Sequence, residues 1–100
     1  MSTLHIALQE GFSHDEVHID VAGAQVYSKP NVSTRLQLGL ADSFATDVKD
    51  EEVVVRIDLP ARRIAEQFVV NVAQNTYLGI CIGRHGGIEH RVSATAFGYA

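Results

Sequence analysis

The sequence predicts an all-β fold, a single antiparallel β-sandwich of about seven or eight strands. Apolar and polar residues alternate with a period of two along most of the chain, as in Val17-His18-Ile19-Asp20-Val21. This alternation is typical of strands that bury one face and expose the other. Turn residues separate the alternating segments at short intervals, and a length of 100 residues suits one domain with one core. We therefore predict a single domain over residues 1–100.

The first half of the chain divides into alternating segments at its turn residues. The predicted strands are Leu4 to Gln9, Glu16 to Val21, Gln25 to Ser28, Thr34 to Leu40 and Phe44 to Val48. Glu10-Gly11 and Ala22-Gly23 end the first two strands. Proline has no N–H to donate to a strand ladder, so Lys29-Pro30-Asn31 predicts that the third strand lies at a sheet edge and ends there.

The second half contains the strand that we expect at the centre of a sheet. The predicted strands are Val53 to Leu59, Phe68 to Val72, Thr76 to Ile82 and Ile88 to Val92. The first of these begins with three consecutive valines, which is typical of a buried strand. Residues 83–87 contain three glycines and predict a hairpin tip. Residues 60–67 predict a short helix after Pro60, with a strand beginning at Arg63 as the alternative.

The inward-facing rows of these strands define the predicted core. Its members are Leu4, Ile6, Leu8, Val17, Ile19, Val21, Leu36, Leu38, Leu40, Phe44, Val53, Val55, Ile57, Leu59, Val70, Val72, Leu78, Ile80 and Ile82. Each strand contributes one apolar row, and we expect these rows to meet in one core between two layers.

Charge and composition exclude several classes of function. The formal net charge is -4 and the largest basic cluster is Arg62-Arg63, so we expect no nucleic-acid binding. No apolar run is long enough to span a membrane, so we expect no membrane partner. The first residues do not resemble a signal peptide. Together with the single cysteine, Cys81, this predicts a cytoplasmic protein, unless the chain is a piece of an exported one.

Two clusters contain metal-ligating residue types, but we predict that neither holds an ion. His14 and His18 are four apart, as in helical zinc motifs, yet the pattern here is a strand, where such residues stand about 13 Å apart. Cys81 and His85, with His90 nearby, resemble the start of a copper site. Such sites add an upstream histidine and usually a methionine, and the only methionine is Met1. We therefore predict no metal site and no cofactor.

The sequence contains no arrangement typical of a catalytic site. Its serines lack the strand-to-helix elbow that presents a nucleophile. The carboxylates Asp20, Asp47 and Asp58 are expected in water on outer strand faces, and Asp15 with Glu16 is interpreted as part of a solvated acidic loop. No glycine-rich loop precedes a helix, so a phosphate site is not supported. We predict no catalytic residue and favour a protein that is not an enzyme.

A fold-level resemblance adds to this interpretation. The order of the strands, the Ala41-Asp42-Ser43-Phe44 turn and the segment after Pro60 resemble small immunoglobulin-like or prealbumin-like sandwiches. The resemblance covers Leu4 to Val92 and carries over no functional residue. Domains of this kind serve as accessory and interaction modules in many bacterial proteins, so the resemblance implies a similar role.

We expect the function to be that of a non-catalytic binding or protein-interaction module. Its partner would be another protein or a second copy of the chain, because a sandwich of this size has no deep cleft of its own. The alternative is a small metal-binding or enzymatic domain that uses the loop histidines His14, His18, His85 and His90. The apolar tail, residues 94–100, should be buried on its own sheet or against a neighbouring chain, and we favour the neighbouring chain.

Overall fold

The structure is a computed structural model that describes residues 2–98. These residues form eight strands: β1 (Ser2–Leu8), β2 (Asp15–Val21), β3 (Ala24–Val32), β4 (Asp42–Val48), β5 (Glu52–Leu59), β6 (Ile64–Asn71), β7 (Asn75–Ile82) and β8 (Ile88–Ser93). A single 3-10 turn at Pro60–Arg62 connects β5 to β6. The all-β prediction is confirmed, and none of residues 2–98 belongs to a helix long and apolar enough to cross a membrane.

The strands form two sheets of four. The first sheet has the order β4-β1-β7-β8, and the second has the order β3-β2-β5-β6. The second sheet is antiparallel throughout, and β5 lies inside it as predicted. In the first sheet β1 runs parallel to β7, so the prediction of a wholly antiparallel arrangement is wrong at this pair. Hairpins make only antiparallel neighbours, whereas β1 and β7 are joined by a long path through the second sheet, which leaves their direction free.

One apolar cluster combines buried side chains from both sheets. Predicted core residues that are buried in the structure are Leu4, Ile6, Leu8, Val17, Ile19, Val21, Val53, Val55, Ile57, Leu59, Val70, Val72, Leu78, Ile80 and Ile82. Phe44 is half-buried and packs against them. The alternation therefore assigns the inward row of the paired strands correctly.

Residues 34–40 form a loop and not the predicted strand. The Arg35 N–H donates to the Leu40 carbonyl over 3.1 Å, which closes the loop on itself. Gly39 has a φ of 68°, a left-handed conformation that glycine adopts without strain. Leu36 is 95% exposed. The predicted core residues Leu36, Leu38 and Leu40 therefore lie outside the core, because their backbone bonds within the loop and offers no edge to a neighbouring strand.

The helix predicted for residues 60–67 is also wrong. After the 3-10 turn, Arg63 adopts a φ of 57° and β6 begins at Ile64, close to the alternative of a strand beginning at Arg63. Every residue of β6 is opposite a residue of β5, from Ile64 opposite Leu59 to Asn71 opposite Glu52. This pairing outweighs the local helix preference of the segment.

Strand β3 lies at a sheet edge, as Pro30 predicted, but it continues past the proline to Val32. The register with β2 shifts between Asp15 and Val17, and Asn31 has a φ of 61°. A bulge of this kind is a position where a missing proline N–H breaks no ladder bond. The proline therefore interrupts the edge without ending the strand.

Candidate functional site

The outer face of the first sheet carries a group of partly exposed aromatic and polar side chains. His5 on β1 is opposite Tyr77 on β7, and their rings stack with centroids 4.5 Å apart. The ring Nε2 of His5 lies 3.2 Å from Oδ1 of Asn75. Alternation places these side chains opposite to the core row, since their neighbours Ile6 and Leu78 are buried. We call this surface the tail face, because the described part of the C-terminal tail lies over it.

The tail contacts its own sheet. The Phe97 ring is half-buried, with its centroid 4.7 Å from the guanidinium carbon of Arg91. Ala96 and Phe97 line a groove of ≈ 360 Å³ together with residues of β1, β4 and β7. Ala96 and Phe97 therefore pack on their own sheet, which is the first of the two alternatives predicted for the tail. Tyr99 and Ala100 lie outside the described residues, and a role of the tail in self-association stays a prediction.

The contact between Phe97 and Arg91 gives a testable effect on stability. We expect Phe97→Ala to lower the free energy of unfolding by about 1 kcal/mol, from lost apolar burial and the lost cation–π contact. The control Phe97→Leu keeps most of the apolar contact and should lose less. Urea unfolding at equal protein concentration measures both. Identical midpoints for Phe97→Ala and the parent would show that the tail does not dock on its sheet.

A second groove, of ≈ 420 Å³, lies beside the tail and is more polar. Its floor contains the amide of Gln9, which accepts a hydrogen bond from the Cys81 thiol over 3.3 Å. Gly79 makes room for this amide, because a Cβ there would come within 2.7 Å of the Gln9 side chain. Within residues 2–98 the thiol bonds to an amide and not to a base, so the arrangement does not activate it as a nucleophile.

The histidines His14 and His18 have separate partners. His14 Nδ1 lies 2.7 Å from Oδ1 of Asn31. The His18 ring contacts the Glu16 carboxylate through one nitrogen, and its other nitrogen lies 2.9 Å from the Ser28 hydroxyl. The His14 ring is therefore held by one side chain of β3, and the His18 ring by one side chain each from β2 and β3. The two rings share none of these partners.

The other two histidines lie on or near the β7–β8 hairpin. His85 is exposed in the loop between these strands, and His90 stacks on Phe68 of β6 with centroids 3.9 Å apart. Across residues 2–98, no group of three or more His, Cys, Asp or Glu side chains is placed to hold a metal ion. The structure therefore does not bring the four histidines of the alternative hypothesis together with Cys81 into one ligand set.

A buried ion pair is present where the sequence was interpreted as a solvated loop. Asp15 is 3% exposed, and Arg62 donates to both of its carboxylate oxygens, over 2.6 and 3.0 Å. The Ser13 N–H donates to the same carboxylate over 2.8 Å. Burial alone would raise the pKa of Asp15, but these hydrogen bonds and the charge of Arg62 bring it below its usual value. The interpretation is wrong for Asp15, which ties the start of β2 to the 3-10 turn.

A polar cluster joins the two sheets along one side, where edge strands β3 and β4 meet. The Tyr27 hydroxyl and the Lys29 ammonium each donate to Oδ2 of Asp42 over 2.8 Å. The Tyr27 ring stacks on Phe44 with centroids 4.8 Å apart. Burial and the adjacent Asp42 carboxylate raise the pKa of Tyr27, so its hydroxyl remains a donor. This side is closed by contacts within the chain.

The opposite side is formed by the edge strands β6 and β8, and we call it the open side. Neither strand contains proline, and neither has a break in register with its neighbour. The Phe68–His90 stack bridges them, while Val92 is 46% and Val69 is 55% exposed. An edge strand without proline or bulge is available to pair with another strand.

In the sequence, Pro30 indicated a protected edge strand and Ile88 to Val92 had no such protection, but only the sheet order shows that β6 and β8 are both edge strands. Comparison of the chain with known proteins found no matching family model, no matching curated protein and no matching solved structure.

Proposed function

We propose that the chain is a non-catalytic protein-interaction module, built as a two-layer β-sandwich, that binds its partner along the open side. The observation that carries this proposal is the presence of two adjacent edge strands, β6 and β8, whose ladders continue without interruption to the edge. A strand from another protein can extend either sheet, with main-chain hydrogen bonds supplying affinity and alternate side chains supplying specificity.

The polar side chains support a binding role over a catalytic one. Asp15 is committed to Arg62, Asp42 to Tyr27 and Lys29, and each pair joins separate elements of the fold. Groups held in this way stabilise the domain, and using them for proton transfer would break the contact that positions them. The backbone N–H and C=O groups at the sheet edges are therefore the groups that we expect to bind a partner.

The strand order favours the prealbumin-like form of the resemblance. In immunoglobulin constant domains the first two strands belong to the same sheet. Here β1 and β2 belong to different sheets, and β1 pairs with β4 and β7. A sandwich with four strands in each layer and this order is therefore the arrangement that we favour for the module.

A random peptide library displayed on phage, selected against the purified domain, tests the proposal. We expect extended, β-branched peptides whose binding shifts the amide signals of β6 or β8 in a heteronuclear NMR spectrum. The Val72 N–H donates to Glu51 and the Val54 carbonyl accepts from Ala22, so the alternation of the ladder directs the Val69 N–H to the free edge.

Two variants at this position sharpen the test. Val69→Pro removes the edge N–H and should abolish binding of peptides that map to β6, while Val69→Thr keeps it and should retain binding. Selected peptides that map only to the tail face, or an unsuccessful selection, would contradict the proposal. Stoichiometric zinc or copper in native mass spectra would instead favour the alternative based on His14, His18, His85 and His90.

A further inference from the structure

The free edge of β8 exposes the backbone groups of alternate residues. The Gly83 N–H donates to the Gly87 carbonyl over 2.8 Å, which identifies this pair as hydrogen-bonded. Hydrogen-bonded pairs alternate along an antiparallel ladder. Glu89, Arg91 and Ser93 therefore bond to β7, and Ile88, His90 and Val92 direct their N–H and C=O groups outward. The Gln9 N–H, which bonds to the Ile80 carbonyl, agrees with this, since Ile80 is opposite His90.

The sequence of β8 is self-complementary when the strand is paired antiparallel with a copy of itself. We propose that the partner of the open side includes a second copy of this chain, joined β8 to β8 about a two-fold axis at His90. This axis places Glu89 opposite the partner's Arg91 and Ile88 opposite the partner's Val92. One face of the new ladder then has two ion pairs, and the other has two apolar pairs.

The outward backbone groups and the charges together select this register. A two-fold axis can pass through a residue whose N–H and C=O point outward, which is Ile88, His90 or Val92, or through a residue between two of these, which is Glu89 or Arg91. An axis at Glu89 or Arg91 places that side chain directly opposite its own copy, so like charges meet. An axis at Ile88 places Glu89 opposite a glycine, and an axis at Val92 places Arg91 opposite a serine. The axis at His90 alone pairs both charges and uses all three outward-facing residues. Opposite charges directly across a ladder stabilise it, and like charges destabilise it.

The charged and apolar groups of β8 are available for these contacts. Within residues 2–98 neither Glu89 nor Arg91 has an ion-pair partner, and both are exposed. The Arg91 guanidinium lies against the face of Phe97, which leaves its edge free to donate to a carboxylate. Val92, 46% exposed, would be covered by the partner.

The other unblocked edge lacks this complementarity. Strand β6 contains one charged side chain, Glu66, so no antiparallel pairing of β6 with itself brings opposite charges together. Strand β3 is interrupted by Pro30 and a register shift. The charge pattern therefore distinguishes β8 from β6 and identifies a second copy as the partner. This inference deepens the proposed function and rests on it.

Charge reversal with sedimentation velocity tests the pairing. We expect the parent chain to dimerise at roughly tens to hundreds of micromolar, as is typical of a small interface. Glu89→Arg and Arg91→Glu each create two like-charge pairs and should each weaken the dimer by at least about tenfold. A mixture of these two variants restores both opposite-charge pairs and should sediment as a heterodimer. The double variant Glu89→Arg/Arg91→Glu should recover the homodimer.

The control is Glu66→Arg on β6, which should leave the dimer unchanged. Thermal melts establish that each variant is folded, as expected for exposed side chains, and recovery in the mixture excludes misfolding as the cause of a loss. A parent chain that stays monomeric, a dimer insensitive to both reversals, or a dimer lost only with Glu66→Arg would overturn the proposal. If the parent is monomeric but library peptides map to the open side, self-pairing fails and the interaction function stands.

Discussion

Val55→Asp is expected to unfold the domain, whereas Val54→Asp, one residue earlier in the same strand, should leave it folded. Val55 is 0% exposed in the apolar cluster, and Val54 is 44% exposed on the outer face of the second sheet. A carboxylate at position 55 loses its water and gains no partner, and the side-chain burial of valine is lost as well. The sum is several kcal/mol against a total stability of about 5–15 kcal/mol.

The paired substitutions isolate burial from every other variable. Both replace valine with aspartate in β5, so strand propensity and the change of charge are the same, and only the face differs. We expect no cooperative melt in circular dichroism for Val55→Asp at neutral pH, and a melt within several degrees of the parent for Val54→Asp. Ile80→Asp, also at 0% exposure, should behave like Val55→Asp. A folded Val55→Asp would show that the inward row of β5 is misassigned.

Alternation predicted this inward row correctly because burial in a strand depends on a period of two that is visible in the sequence. The same pattern failed in residues 34–40, where Leu36 is 95% exposed. There the Arg35 N–H bonds to Leu40 within the loop. A strand needs a neighbour as well as a pattern, and a single sequence does not show which segments are neighbours. Gly39, with its positive φ, was the available signal of a turn.

The alternation of apolar and polar residues could not predict strand direction, for a related reason. The side chains of β1 and β7 alternate in the same way whether the two strands run parallel or antiparallel. Only the path of the intervening chain decides the direction. The edge strands were partly predictable, because Pro30 indicated that β3 lies at an edge. The sequence of β8, Ile88-Glu89-His90-Arg91-Val92, places two opposite charges between two apolar residues.

The sequence indicated the buried position of Asp15 but not that its partner is Arg62. Asp15 continues the inward row of Val17, Ile19 and Val21 by a step of two, so the alternation itself placed a carboxylate at the buried end of β2. A buried carboxylate requires a partner. Arg62 is 47 positions away, and its role depends on the turn after β5, which no local pattern specifies.

Arg62→Met is expected to lower the free energy of unfolding by about 3 kcal/mol at neutral pH. This is near the low end for breaking a buried pair, because Asp15 is left at 4% side-chain exposure while Arg62 itself is 30% exposed. Arg63→Met is the matched control: Arg63 is the exposed neighbouring arginine and should change stability by less than about 0.5 kcal/mol. Urea unfolding of both variants and the parent gives the comparison.

The pH dependence of the same variant identifies the cause. The pKa of Asp15 is lowered in the folded parent, so the pair stabilises fully above the unfolded value of about 4, and the contribution is lost as pH falls through the lower folded pKa. In Arg62→Met, Asp15 stays buried and keeps only the Ser13 N–H, so we expect its pKa to rise, and protonation relieves the buried charge as the pH falls. The stability difference between parent and variant should therefore shrink from pH 7 to acid. A difference that is constant with pH would show that Arg62 acts through packing and not through the Asp15 carboxylate.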